Sequence, residues 1–341
     1  MGIQRANVQS TSGRDNLYML VAAPRGPHRG YVQLVHDRYD HVDRYRNLLE
    51  YLADAGYVAF AADLIGHGKS VSAGGRVGSL GKGASTALVN DISVVLQKAI
   101  SLYPPQIETA SIIFKGKTMT IARPTLRCLV GIGFGCALVR TYLLRFKDAN
   151  AIVLAGDEGF TSPLKKAAEL IKHEIKEYDE TGVVPSIREL LQAGYLDHLD
   201  EGKTHRFSYR TSRPSANREI ADDPLCAFDY DLASEKVLLE QASVLTLEQW
   251  TRMCPEYLPV YLVSGYGDPV TNYTRECDAI LEGFKYAHAM NVFFKYFEHS
   301  RHDVLLDREK SKVWKGVLTF VDNVNKQNDQ LFARQKEEFG N

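Results

Sequence analysis

Arg127-Cys128-Leu129-Val130-Gly131-Ile132-Gly133-Phe134-Gly135-Cys136-Ala137 carries an apolar, strand-like run straight into an apolar, helix-like one through three alternate glycines. This is the pattern of a nucleophile elbow. There the central residue takes a strained backbone conformation at the mouth of a sheet, and small neighbours let strand and helix approach each other. The chemistry of such a turn needs G-x-S-x-G, whereas the central residue here is Gly133, which relieves the strain and removes the hydroxyl. A phosphate-binding loop is the competing reading. It is disfavoured because Cys136 stands where G-x-G-x-x-G needs its third glycine, and because the strand does not begin a βαβ unit.

Working outward, apolar strand-like runs recur at Leu17–Ala23, Tyr31–His36, Tyr57–Asp63, Leu126–Ile132, Ala151–Gly156, Val260–Gly265 and Asn291–Phe297. Between them lie stretches of helical period, such as 42–55, where Tyr45, Leu48, Leu49 and Leu52 share one face. The alternation predicts an α/β fold with a mostly parallel sheet flanked by helices. Residues 104–124, β-branched on either side of Lys115-Gly116-Lys117, read as an inserted hairpin. Residues 161–255 hold amphipathic helices and no core strand, the pattern of a helical lid inserted after the sixth strand of the sheet. The expected organisation is therefore a core over 1–160 and 256–325, a lid over 161–255, and a charged, glutamine-rich tail over 326–341 that reads as a frayed helix.

Composition narrows the function classes. With 41 Lys and Arg against 42 Asp and Glu, the chain has no basic footprint for nucleic acid. Five scattered cysteines, an odd number, read as reduced packing residues of a cytoplasmic protein, not as a disulfide framework. No Cys or His spacing suggests a metal site, and neither a metal nor a cofactor is expected. No apolar run has the length of a signal peptide core or a membrane span.

Three further segments carry chemistry. His36-Asp37-Arg38-Tyr39-Asp40-His41 follows one strand, at the place that supplies an oxyanion-binding amide, and Asp63-Leu64-Ile65-Gly66-His67-Gly68-Lys69-Ser70 follows the next. Downstream, Ser264-Gly265-Tyr266-Gly267-Asp268-Pro269 and Phe297-Glu298-His299-Ser300-Arg301-His302-Asp303 each close a strand. Asp268 also suits a plain turn before Pro269, and His67 suits a role in holding its glycine-rich loop.

With these pieces in order, the chain resembles the α/β-hydrolase family of monoacylglycerol lipases and bacterial lysophospholipases, the serine aminopeptidase S33 type. The resemblance implies an acid at Asp268, a histidine at His302, oxyanion amides at Arg38 and Phe134, and a nucleophile position at Gly133 from which the serine is lost. Asp223-Pro224-Leu225-Cys226 resembles a lid segment of the bacterial members. Asp37 departs from the family's glycine.

A triad without its nucleophile retains a fraction of its rate through the oxyanion hole. Two readings follow. In one, the protein is a degenerate member that keeps an acyl-binding pocket for an ester or lipid-like molecule, with possible lid contact to a membrane surface. In the other it is an active hydrolase that uses water activated by His302, or a nucleophile the sequence does not reveal. Both expect Asp268 and His302 to be hydrogen-bonded and to face Gly133. The first also expects that Gly133→Ser alone restores an esterase.

Overall fold

The computed structural model describes residues 2–158, 163–197, 199, 205–244, 247–287, 289 and 291–339. The chain opens with β1 (Gln4–Gln9), β2 (Asn16–Ala22), β3 (Gly30–Val35), α1 (Arg46–Asp54), β4 (Val58–Ala62) and α2 (Ala84–Leu102). A hairpin follows, β5 (Thr109–Phe114) and β6 (Lys117–Ala122), then β7 (Leu126–Ile132), α3 (Phe134–Arg145) and β8 (Ala151–Ala155). Five helices come next: α4 (Pro163–Tyr178), α5 (Pro185–Leu191), α6 (Pro214–Asp222), α7 (Leu232–Ser243) and α8 (Leu247–Met253). The sheet then resumes with β9 (Val260–Gly265), α9 (Arg275–Tyr286) and β10 (Val292–Phe297), and the chain ends in α10 (Lys310–Phe339).

Eight strands form one sheet in the order β1-β2-β4-β3-β7-β8-β9-β10. The strands from β4 to β10 in that order pair in parallel, while β1 with β2 and β2 with β4 pair antiparallel. All six residues of β3 and all five of β4 and β8 are buried, which is why these strands read as unbroken apolar runs. β1 gives no such signal, because only Val8 of its six residues is buried. One apolar layer packs Met19 and Phe60 with Leu88, Leu96, Leu138 and Tyr142 of α2 and α3. On the other face Val32 and Val130 meet Leu48 and Leu52 of α1 and Val317 and Val321 of α10. Among the described residues no helix is long and apolar enough to cross a membrane.

The C-terminal segment is helical. No boundary falls at 325/326: α10 is one helix of 30 residues. The hairpin packs against the end of this helix. Arg123 pairs with Asp329, the Phe114 and Phe339 rings meet edge to face at 5.5 Å, and Phe332 is buried. Hairpin and tail, read separately in sequence, thus support each other. Replacing residues 110–121 with a short glycine turn is expected to speed amide hydrogen exchange over the last three turns of α10 and leave exchange in β7 and β8 unchanged. Unchanged protection of the helix end would show that it holds itself. The proposed lid boundary at 161 lies outside the described residues.

A parallel sheet brings the C-terminal ends of its strands to one edge. Here that edge collects Asp37 after β3, Gly133 after β7, Glu158 after β8, Asp268 after β9 and His302 after β10.

Candidate active centre

The glycines of the elbow serve two different needs. A Cβ on Gly131 would lie 2.7 Å from the Cys136 Cα, and one on Gly135 would lie 2.1 Å from the Val35 carbonyl oxygen, so both are glycine for space. Gly133 is glycine for conformation as well, with φ 52° and ψ −120°. Its N–H donates to the Ala155 carbonyl at 2.9 Å, and its own carbonyl accepts from the Cys136 N–H at 3.0 Å, which locks the turn between β7, β8 and α3.

The space in front of Gly133 is filled by Asp37. A Cβ built on Gly133 would lie 2.2 Å from Asp37 Oδ1. That oxygen accepts from the Phe134 N–H at 2.8 Å, the very amide expected to bind an oxyanion. The other oxygen, Oδ2, lies 3.2 Å from His302 Nε2 and 3.5 Å from Arg210 Nη2. The carboxylate therefore occupies the region where a serine oxygen and a developing oxyanion would sit.

His302 Nδ1 lies 3.1 Å from Asp268 Oδ2, and Asp268 Oδ1 accepts from the Val270 N–H at 2.9 Å. Asp268 and His302 are thus brought together and buried, with Asp37 between His302 and Gly133, while His299 is exposed. Both ring nitrogens of His302 face carboxylates, which only accept, so the ring donates from both and is an imidazolium. Burial opposes that charge, but Asp268 and Asp37 outweigh it and raise the His302 pKa well above its ordinary value. Burial likewise works against the charge on Asp37; the His302 hydrogen bond and charge, Arg210 and the Phe134 amide prevail and lower it to about 2.

The Phe134 amide, one of the two proposed to bind an oxyanion, is taken by Asp37. Arg38 is placed by its side chain, with its guanidinium 2.6 Å from Glu158 and 5.1 Å from the Phe134 ring centre. The space left beside Asp37 and His302, walled by Arg38, Glu158, Tyr195 and Tyr209, is a cavity of about 30 Å³. That is the share of a single water. Among the described residues the space beside His302 is thus small. Its walls mix the charged groups of Arg38 and Glu158 with Leu191, Val270 and the rings of Tyr195 and Tyr209.

Two residues that sequence reasoning missed complete the centre. Arg210, fully buried between α5 and α6, donates from Nε to Asp303 at 2.9 Å and from Nη1 to the carbonyls of Arg38 and Tyr39 at 3.2 and 2.9 Å. It fastens the helical insertion to the loop that carries Asp37. Glu158 neutralises Arg38. Nothing in the sequence around Arg210 marks it, because its partners come from segments far apart in the chain.

The D-x-x-G-H-G-x-S segment is structural. Asp63 accepts from the N–H groups of Val42 and Lys69, each at 2.7 Å, and a Cβ on Gly68 would meet its carboxylate at 2.2 Å. His67, with its pKa lowered to about 3 chiefly by burial, is neutral and sits 2.7 Å from the Tyr230 hydroxyl. Cys136 offers no substitute nucleophile, because burial pushes its thiol pKa well above 9.0. Ligand atoms of Asp37, Glu158 and His302 lie within 4.8 Å of one another. A metal there would have to displace the protons of His302 and the guanidinium groups of Arg38 and Arg210, so this donor set is already satisfied without one.

The family model for serine aminopeptidase, S33, matches residues 26–309. No curated protein matches by sequence. Among solved structures, a thermostable carboxyl esterase from Bacillus coagulans aligns at 22% identity with a TM-score of 0.83, over 95% of this chain and 99% of its own. A monoglyceride lipase from Saccharomyces cerevisiae, in complex with a substrate analog, aligns at 12% identity with a TM-score of 0.67, over 95% and 97%. A monoacylglycerol lipase from Paleococcus ferrophilus aligns at 19% identity with a TM-score of 0.59, over 89% and 98%.

Proposed function

The chain belongs to the serine aminopeptidase S33 family, with the α/β-hydrolase fold, and we propose that it is a lipase- or esterase-like member that has lost carboxylester hydrolysis through a serine. One observation carries this reading: the Asp37 carboxylate bridges the Phe134 amide and His302 in front of Gly133. Three requirements of acyl transfer fail together. Gly133 has no attacking oxygen, the oxyanion amide is already bonded to a full negative charge, and a protonated His302 cannot accept a proton. Water activated by His302 fails on the last count as well. The buried charges offset one another, so the centre reads as a stable ionic plug joining sheet and insertion. A lipid-like ester as ligand rests on the names of the structural relatives, and access for one requires the plug to open.

Fluorophosphonate probes, which report an activated serine, are expected to leave the intact mass unchanged, and p-nitrophenyl butyrate to hydrolyse at the buffer rate. Stoichiometric labelling that is lost on mutating some other serine would place the active centre elsewhere.

A second reading draws on the same geometry. Asp37 Oδ2 is in contact with His302. On a substrate such as an epoxide the carboxylate would therefore form an ester with the ring carbon as the C–O bond breaks, and His302 would give its proton to the released alkoxide. The imidazole thus made neutral would activate the water that hydrolyses the ester. An ester formed on Asp37 and hydrolysed in ¹⁸O water leaves ¹⁸O in that side chain. A peptide mass free of ¹⁸O after turnover would remove this reading.

A further inference from the structure

On the far side of the sheet from the insertion, a groove of about 730 Å³ runs between α10 and the edge strand β10. Its volume falls within the range of small-molecule sites. The floor is aromatic: Tyr261 and Phe320 stack at 5.5 Å, and Phe293, half exposed, meets Phe320 edge to face at 6.2 Å. Phe293 and Lys295 point the same way because side chains alternate along a strand, and β10 pairs Phe293 with Tyr261. On the helix side a Cβ on Gly316 would lie 2.7 Å from the Tyr261 hydroxyl, so the depth of the groove depends on a glycine.

The rim carries one sign of charge. Lys295, Lys312, Lys315 and Lys326 line the groove and no Asp or Glu does, although the chain as a whole is balanced at 41 basic to 42 acidic residues. Of the four, only Lys312 has a carboxylate partner among the described residues, Glu309 at 2.9 Å. An apolar floor under a cationic rim matches a molecule with an apolar body and an anionic head. A second copy of the chain paired across the β10 edge would set lysine rim against lysine rim. A bilayer needs a convex or flat contact, and this one is concave.

We propose that this groove is a binding site for a single-chain fatty acid anion, its chain on Tyr261, Phe293 and Phe320 and its carboxylate held by Lys295, Lys312 and Lys315. The site is separate from the plugged centre and does not depend on how that centre is read. The test is calorimetry of the full chain with dodecanoate below its micelle concentration. Neutral monolauroylglycerol, acetate, and vesicles of phosphatidylcholine with phosphatidylglycerol are run in parallel. Saturable binding of one dodecanoate is expected, weakened at least tenfold by Lys295→Glu with Lys315→Glu and, separately, by Phe293→Asp. All three are exposed positions, and the melting temperature of each variant serves as a folding check. Both neutral lipid and acetate should bind at least tenfold more weakly. The proposal is overturned if dodecanoate does not bind, if folded Lys295→Glu/Lys315→Glu binds it unchanged, if the neutral lipid binds as well, if only vesicles bind, or if the protein is a dimer that buries the groove.

Discussion

Gly133→Ser alone is expected to leave the protein without esterase activity, while Gly133→Ser combined with Asp37→Gly creates it. A serine Cβ at position 133 would lie 2.2 Å from Asp37 Oδ1, so the single variant must push the carboxylate aside or distort the elbow. Holding a non-glycine residue at φ 52° and ψ −120° adds a further cost of about 1–3 kcal/mol. The single variant is therefore both less stable and silent. Removing the Asp37 side chain frees the Phe134 N–H for an oxyanion and gives the serine its space. It also takes away one of the two carboxylates that keep His302 protonated. Asp268 still orients the ring through Nδ1 at 3.1 Å, so the double variant holds the parts of a Ser-His-Asp centre. Loss of a triad nucleophile costs about a million-fold, and recovering even a small part of that would raise p-nitrophenyl acetate turnover by about 10²-fold or more over wild type. A small acyl group is the right first substrate because the free space is only about 30 Å³. Adding His302→Ala to the active double variant should abolish the gain. A double variant that folds but stays silent, or a single variant that is active, would show that Asp37 is not what closes the centre.

The contact between Asp37 and position 133 thus favours a double change over a serine alone, and it marks where sequence reading stopped. The sheet was legible because its central strands are buried on both faces, and Asp268 and His302 because the family resemblance implies them in segments that each close a strand. Both substitutions at the centre were visible too, as a glycine at 133 and an aspartate at 37. What the sequence did not show is that the two residues are in contact. The two positions lie almost a hundred residues apart, and only the parallel pairing of β3 with β7 brings them into contact. Once paired, they are complementary in volume: the side chain absent from one position occupies the space of the other. Arg210 escaped notice for a related reason, since Asp303, Asp37 and the carbonyls it binds come from different strand ends. The small space beside His302 was equally hidden. Apolar spacing in the insertion predicts helices, but the residues that meet above His302 are set by how those helices dock.

If Asp37 is the counter-ion of a permanent imidazolium, stability must carry the signature of that pair. In the unfolded chain an ordinary histidine loses its proton near pH 6.5, while in the folded chain the His302 pKa is raised well above that value by Asp268 and Asp37, against the opposing effect of burial. The contribution of His302 is therefore complete below pH 6.5 and is lost as the pH climbs towards its folded value. Within that window the folded state binds one proton more than the unfolded state, so stability falls by about 1.4 kcal/mol per pH unit. Asp37 acts in the opposite sense: its contribution is present above its ordinary value of 3.8 and is lost as the pH drops through about 2. Asp37→Asn keeps an acceptor for the Phe134 N–H but breaks the ion pair, and at pH 6 it is expected to cost about 3–5 kcal/mol, the usual penalty for leaving a buried charge with one partner removed. The difference from wild type should shrink on the alkaline side as wild type also loses the proton. Urea denaturation of both proteins from pH 5 to 9 gives the slopes, and ¹⁵N shifts of the His302 ring give the protonation state directly. Two protonated nitrogens at pH 8 in wild type, with a lower titration point in Asp37→Asn, fit the plug; a neutral ring at pH 8 would mean that His302 is free to act as a base and that Asp37 is not holding it.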